Sequence, residues 1–338
     1  MALAFGGCLD LATTGFQDSG TSPPYPSFVA IQAGTSYALP TEFDPSASVR
    51  LIPQGVARIV STGSTFALAG IQPGFAAWDP HLRGYHSLQV AVLGTPRGAP
   101  LLVAHHGVQA IAPENTLDAV RAGCDLGIPG IEVDVRFTAD SVPVLLHDRD
   151  VRRTSNGTGY VDQMTLAELR RLDFGSWYSP RYAGATIPTL SEFLAVASAC
   201  RLDLIQLDMK SFAPMSGDAG LLEIGAAVQE AGLSAQEVQV GAFQVSTLRR
   251  ARTLMPGTQT LLYADSLSSA VADAVIGNGI SAVGVQFAGY SASATALARL
   301  DAAGVQIGVW APPSVLELNT LSPRPRVVTT DWGWVFPN

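Results

Sequence analysis

From residue 101 onward the chain repeats one pattern: a short apolar run, a turn, an amphipathic stretch, then another apolar run. The runs are "LLVAH" (101–105), "GIEVDV" (130–135), "PVLLH" (143–147), "LDLIQLD" (202–208), "VQVGAF" (238–243), "TQTLLYA" (258–264), "SAVGVQF" (281–287) and "VQIGVW" (305–310). Between many of them lie segments with helical spacing of apolar residues, such as "TLDAVRAGCDLG" and "TLSEFLAVASAC". Thr116, Thr165 and Thr189 precede such segments as N-caps. Strands that alternate with helices in this way build a parallel sheet, and eight candidates suit a closed (βα)8 TIM barrel better than an open one. "RVVTTD" (326–331) is a ninth short run, either a closing strand or a loop.

Residues 1–95 have a different texture. Short apolar runs ("SFVAIQAG", "VRLIPQGVARIV", "STFALAGI", "SLQVAVLG") are punctuated by Gly, Pro, Ser and Thr, without sustained helical period. They read as a small β-rich N-terminal domain, joined through "GTPRGAP" (94–100) to a barrel domain over 96–338. A neutral β-rich module at the start of a chain suits binding, homo-oligomerisation or docking onto a larger assembly. The net charge of −8 excludes nucleic acid as a partner, because a phosphate backbone needs a basic face. It does not exclude a small or polymeric phosphodiester held through a metal ion. Cys8, Cys124 and Cys200 are widely spaced and without a CxxC pair, so they read as buried free thiols. No basic n-region opens the chain and no run reaches the ~20 apolar residues that span a bilayer. The expectation is a soluble protein without a transmembrane segment, cytoplasmic or virion-associated.

In a barrel of this kind chemistry sits at the C-terminal ends of the strands. Those ends carry His105 and His106, then Glu132 and Asp134, then His147 and Asp148, then Asp208 with Lys210 two residues on, and finally Trp310. Ionisable groups at apolar strand ends are costly to bury unless they share a site. Glu132 and Asp134 are two apart on a strand and face the same way. Two such carboxylates repel unless a cation lies between them, and with Asp208 they suit a hard divalent ion, Ca2+ or Mg2+. Neither a thiolate cluster nor a set of three histidines points to zinc. His105 and His147, which titrate near neutral pH, suit general acid–base work across a metal-bound ester.

The segment from 101 to about 210 resembles the glycerophosphodiester phosphodiesterase family, metal-dependent barrels that cut glycerophosphodiesters to glycerol phosphate and an alcohol. The resemblance lies in "HHG" (105–107), "PENT" (113–116), "EVD" (132–134), "HD" (147–148), "RTSNGTG" (153–159), "IPTL" (187–190) and "DMK" (208–210), in order and with matching spacing. It implies His105 and His147 as the acid–base pair; we assign His105 as the base and His147 as the acid, an order that sequence does not fix. Glu132, Asp134 and Asp208 would be the metal ligands, and Glu114 would line the cavity. Lys210, the single lysine among twenty basic residues, falls where the family has a phosphate-contacting lysine. His106 stands in place of the family's arginine, which implies weaker phosphate binding and a loss of activity above neutral pH. Trp310 is expected on the substrate side of the cavity. Asp208 in place of the usual glutamate is also similar to sphingomyelinase D barrels, which opens a lysophospholipase D-like alternative. The rival from another class is a barrel without turnover, serving as a binding or structural part such as a phage tail component.

Overall fold

The computed structural model describes residues 28–32, 36–38, 51–52, 57–61, 66–70, 74–78, 88–93 and 100–331, except 110–111, 126–127, 201, 313–317 and 319. Two compact units divide the chain: residues 1–99 with 313–320 and 334–338, and residues 100–312 with 321–333.

The first unit holds strands β1 (Phe28–Gln32), β2 (Ser36–Ala38), β3 (Leu51–Ile52), β4 (Ala57–Ser61), β5 (Phe66–Gly70), β6 (Gly74–Trp78) and β7 (Leu88–Leu93). They form two small sheets, ordered β1-β7-β6-β3 and β2-β5-β4, antiparallel except for the β1–β7 pair. Each of the four apolar runs read from sequence contains a strand. "VRLIPQGVARIV" contains two, β3 and β4. The linker "GTPRGAP" lies outside the described residues except for Pro100.

The second unit is a closed barrel. Its strands are β8 (Leu101–Ala104), β9 (Gly130–Phe137), β11 (Leu204–Met209), β12 (Val238–Ala242), β13 (Gln259–Ala264), β14 (Ala282–Gln286), β15 (Gln306–Trp310) and β16 (Val327–Thr330), all parallel, with β8 pairing β9 to close the ring. Helices α1 (Leu117–Asp125), α2 (Leu166–Leu169), α3 (Leu190–Cys200), α4 (Gly217–Glu230), α5 (Val245–Leu254), α6 (Ser269–Gly277), α7 (Phe287–Tyr290) and α8 (Ala294–Ala302) lie between them in sequence.

One stave is not where the sequence placed it. β10 (Pro143–Leu145) runs antiparallel to β9, and the eighth stave is "RVVTTD", which becomes β16. The reason is chain length. Only residues 138–142 separate β9 from β10, whereas a parallel crossover needs a dozen or more residues. A hairpin is the only pairing that this connection allows.

The barrel interior is layered. Val103, Leu204 and Val327 pack with Leu101 into an apolar floor. Above it Gln206 Nε2 donates to Gln239 Oε1 (2.8 Å), Gln239 Nε2 to Gln306 Oε1 (2.9 Å), and Thr329 Oγ1 to Gln206 Oε1 (3.1 Å). These buried amides lose no hydrogen bonds to burial because they bond to one another. Above the amide belt the Tyr263 ring crosses the interior. A Cβ on Gly241 would come within 2.5 Å of Tyr263 Cε2, so glycine at 241 is what makes room for the ring.

The cysteine reading is corrected. Cys124 and Cys200 form a disulfide across 76 residues, with Cα atoms 5.6 Å apart, tying the last turn of α1 to the end of α3. Linear spacing hides this pair because only the side-by-side packing of α1 and α3 brings the thiols together. No helix among the described residues is long and apolar enough to cross a membrane.

Candidate active site

Parallel pairing sets the centre of the site. In the β9–β11 register Asp208 stands opposite Asp134, and Glu132 lies two residues earlier on the same face as Asp134. One carboxylate oxygen from each of the three lies within 4.8 Å of the other two. All three residues are buried, at 2%, 0% and 5% exposure, and Asp134 Oδ1 and Asp208 Oδ1 lack a hydrogen-bond partner. Burial, then the neighbouring Asp134, pushes the Glu132 carboxyl up to about 8. Burial also raises Asp208, against the pull of Lys210. Asp134 goes the other way: burial opposes its charge, but His106 and Lys210 outweigh it and hold it well below the usual range. Buried, mutually repelling carboxylate oxygens that converge on one point fit a hard divalent cation. Lys210 Nζ, 2.5 Å from Asp208 Oδ2 and 3.0 Å from Asp134 Oδ1, brings one positive charge to the same oxygens.

The "HHG" turn wraps around Glu132. His106 and Gly107 both take positive φ (54° and 75°), which folds the chain back so that His106 N donates to Glu132 Oε2 (3.0 Å) and Gly107 N to Glu132 O (3.1 Å). "PENT" supplies the next layer. Asn115, also at positive φ (55°), donates from Nδ2 to Asp134 Oδ2 (2.6 Å) and accepts from Asp134 N at Oδ1 (3.0 Å). Asparagine tolerates this backbone region better than most residues. Thr116 Oγ1 accepts from Ala119 N and caps α1. Glu114 has both carboxylate oxygens bonded by Arg153 (2.6 and 2.8 Å), whose Nε also donates to Asp148 Oδ2 (2.5 Å). The ion-site cluster does not include it.

The histidines converge, although no group of ligand atoms among the described residues brings three of them together. The His105 and His106 ring centroids are 3.7 Å apart, and those of His106 and His147 5.3 Å. His105 Nδ1 bonds Asp331 and its Nε2 lies 3.7 Å from Glu132 Oε2. Burial disfavours its charge, but Glu132 and Asp331 more than compensate and raise it to about 9. His147, carried into place by the β9–β10 hairpin, bonds Asp148 Oδ1 through Nδ1 (2.7 Å). Burial lowers His106 to about 4 despite Asp134. It is therefore neutral throughout the neutral range, so the expected loss of its charge above neutral pH does not arise. Trp310 donates from Nε1 to Gly284 O (3.3 Å) and packs with Leu261, Tyr263 and Ala282 on the opposite wall of the interior.

Sequence reasoning missed Asn115, Arg153, Asp331 and Tyr263 as parts of the site. The first two lay inside quoted motifs without an assigned part. Asp331 closes "TTD" one residue beyond β16, and its signal was the strand-end position that flagged the others. Tyr263 carries no motif. Its hydroxyl is buried without a partner, and burial with Asp208 nearby raises its pKa well above the usual value.

A family profile, the glycerophosphoryl diester phosphodiesterase family, matches residues 105–320. The chain belongs to that family. Glycerophosphodiester phosphodiesterase of Caldanaerobacter subterraneus is 45% identical over 92 residues, 27% of this chain and 38% of that protein. Mouse glycerophosphodiester phosphodiesterase 1 is 37% identical over 163 residues, 47% of this chain and 46% of the mouse protein. YhdW of Bacillus subtilis is 35% identical over 159 residues, 47% of this chain and 63% of YhdW. The aligned stretches thus span from about four-tenths to under two-thirds of these relatives. Among solved structures, an Oleispira antarctica phosphodiesterase in complex with sn-glycerol-3-phosphate superposes with a TM-score of 0.63 at 24% identity, over 70% of this chain and 94% of that one. A glycerophosphodiester phosphodiesterase from Agrobacterium tumefaciens gives 0.56 at 25% identity, over 69% and 96%. These superpositions carry the barrel fold of the family.

Proposed function

We propose that this family member hydrolyses glycerophosphodiesters to glycerol phosphate and an alcohol, with a divalent ion on Glu132, Asp134 and Asp208. The observation that carries the reading is the buried trio of converging carboxylates, whose charge Lys210 only partly offsets, flanked by His105 and His147. Ca2+ and Mg2+ both suit these oxygens, and either would polarise a phosphate oxygen and offset charge building in the transition state.

The protein's own groups do the rest. Lys210 reaches the phosphate from the same side as the carboxylates and stabilises developing negative charge. His105 donates a proton to the leaving alkoxide, because Asp331 favours its imidazolium form even when an ion engages Glu132. His147 accepts a proton from the attacking hydroxyl: Asp148 holds its Nδ1–H and leaves the lone pair at Nε2. This reverses the order expected from sequence. Trp310 and Tyr263 form the apolar wall against which the glycerol moiety rests. The Cys124–Cys200 bond supports an oxidising compartment as the working site rather than the cytoplasm.

The test is release of glycerol phosphate from glycerophosphocholine, lysolipid and a glycerol-phosphate polymer, with and without chelator. Glycerophosphocholine should be cleaved, chelator should abolish cleavage, and His147→Ala should lower turnover ~100-fold or more. Chelator-resistant cleavage or near-native turnover by His147→Ala would overturn the mechanism. No cleavage of any substrate would favour a binding barrel.

A further inference from the structure

His106 has no task in this reaction scheme, yet it is built into the centre of the cluster. Its ring is buried, and its Nδ1 lies 3.2 Å from Gln109 Oε1. An amide oxygen only accepts, so this contact suits the tautomer with the proton on Nδ1, and Nε2, which has no hydrogen-bond partner, then carries the lone pair. Nε2 lies 3.1 Å from Asp134 Oδ2 without forming a hydrogen bond. A ring lone pair and a carboxylate oxygen facing each other in a buried site repel. A cation seated between them turns that repulsion into two bonds. Donors each about 2.1 Å from one ion at the tetrahedral angle stand about 3.4 Å apart, a few tenths of an ångström beyond this separation.

His147 completes the set from the other side. Its Nδ1–H is held by Asp148 Oδ1 at 2.7 Å, the carboxylate–histidine pairing that usually orients a metal-ligating ring. One ligand atom each from His106, Asp134 and His147 lies within 4.8 Å of the other two. Asp134 also belongs to the Glu132–Asp134–Asp208 group. Its Oδ1, 3.0 Å from Lys210 Nζ, points to the carboxylate site, while its Oδ2, which accepts from Asn115 Nδ2, faces His106.

We propose that His106, Asp134 and His147 form a second metal site, selective for a borderline ion such as Zn2+, with Asp134 bridging it to the carboxylate site. Imidazole nitrogens favour Zn2+ over Ca2+ or Mg2+, and the all-oxygen trio has the opposite preference. The two sites therefore sort ions by donor type. Occupancy of the histidine site engages the His147 lone pair, so Zn2+ inhibits the hydrolysis. That last consequence rests on the function proposed above, whereas the site itself does not.

The full chain, saturated with Ca2+, is dialysed against Zn2+ and its bound metals are measured by elemental analysis. The expected result is one Zn2+ and one Ca2+ per chain. His106→Gln and His147→Gln should each weaken Zn2+ ~10-fold or more while Ca2+ binding holds. His147 is half-exposed, so its variant serves if the buried His106 variant fails to fold. Exchange of Zn2+ for Ca2+ one for one, no Zn2+ binding, or unchanged Zn2+ affinity in the variants would overturn the proposal. Histidine-dependent Zn2+ binding in a protein without turnover would sink the proposed hydrolysis and leave this site standing.

Discussion

Replacing Glu132 by glutamine should make the ion-free protein more stable at alkaline pH and less responsive to Ca2+. Burial and Asp134 raise the Glu132 carboxyl from 4.5 to about 8. A carboxyl raised in the folded state contributes stability below its unfolded pKa and loses it as pH climbs through the folded value. At 1.36 kcal/mol per pH unit, keeping the wild-type side chain ionised costs on the order of 5 kcal/mol. His105, raised to about 9 from 6.5, loses its own contribution over pH 6.5 to 9, in the same direction. Glutamine removes the charge but keeps an oxygen to accept from His106 N. Some gain is returned because His105 loses the anion that helps hold its proton. A net gain of about 2 kcal/mol remains, or about 4–8 °C for a barrel of this size.

The assay is thermal unfolding by circular dichroism at pH ~5 and pH ~8.5, in chelator and in Ca2+. In chelator the variant should match wild type at the lower pH and melt higher at the upper. In Ca2+ the order at the upper pH should reverse, because the wild-type trio gains an ion that the variant holds poorly. A variant that melts at or below wild type in chelator at the upper pH would refute the claim that these carboxylates are buried in mutual repulsion.

Two other changes test the surroundings of the site. Cys124→Ser with Cys200→Ser opens a loop of 76 residues, and its closure entropy is worth about 4 kcal/mol; the double variant should melt well below wild type, and reductant should lower wild type to the same point. Equal melting with and without reductant would show that the two thiols are not bonded. Asn115→Ala removes both hydrogen bonds to Asp134; Ca2+ affinity should fall ~10–100-fold and ion-free stability by about 1–3 kcal/mol, while a calorimetric titration that matches wild type would deny Asn115 a positioning role.

Local pattern was enough for the barrel, for strands in the first 95 residues and for picking out strand-end residues that the fold brings together. Period-two alternation puts Glu132 and Asp134 on one face of one strand, and apolar runs that end in ionisable residues mark the mouth of a barrel before any strand is paired. What pattern could not supply were facts created by contacts between distant segments. The stave count went astray at "PVLLH" because composition does not carry strand direction; the five-residue connection does, and it makes β10 a hairpin partner. The Cys124–Cys200 bond and the Asp331 contact to His105 join residues 76 and 226 positions apart, which no spacing rule reaches. The state of His106 was decided the same way. A histidine beside a carboxylate looks like a cation on paper, and only its burial makes it neutral, because moving its charge out of water costs more than Asp134 returns.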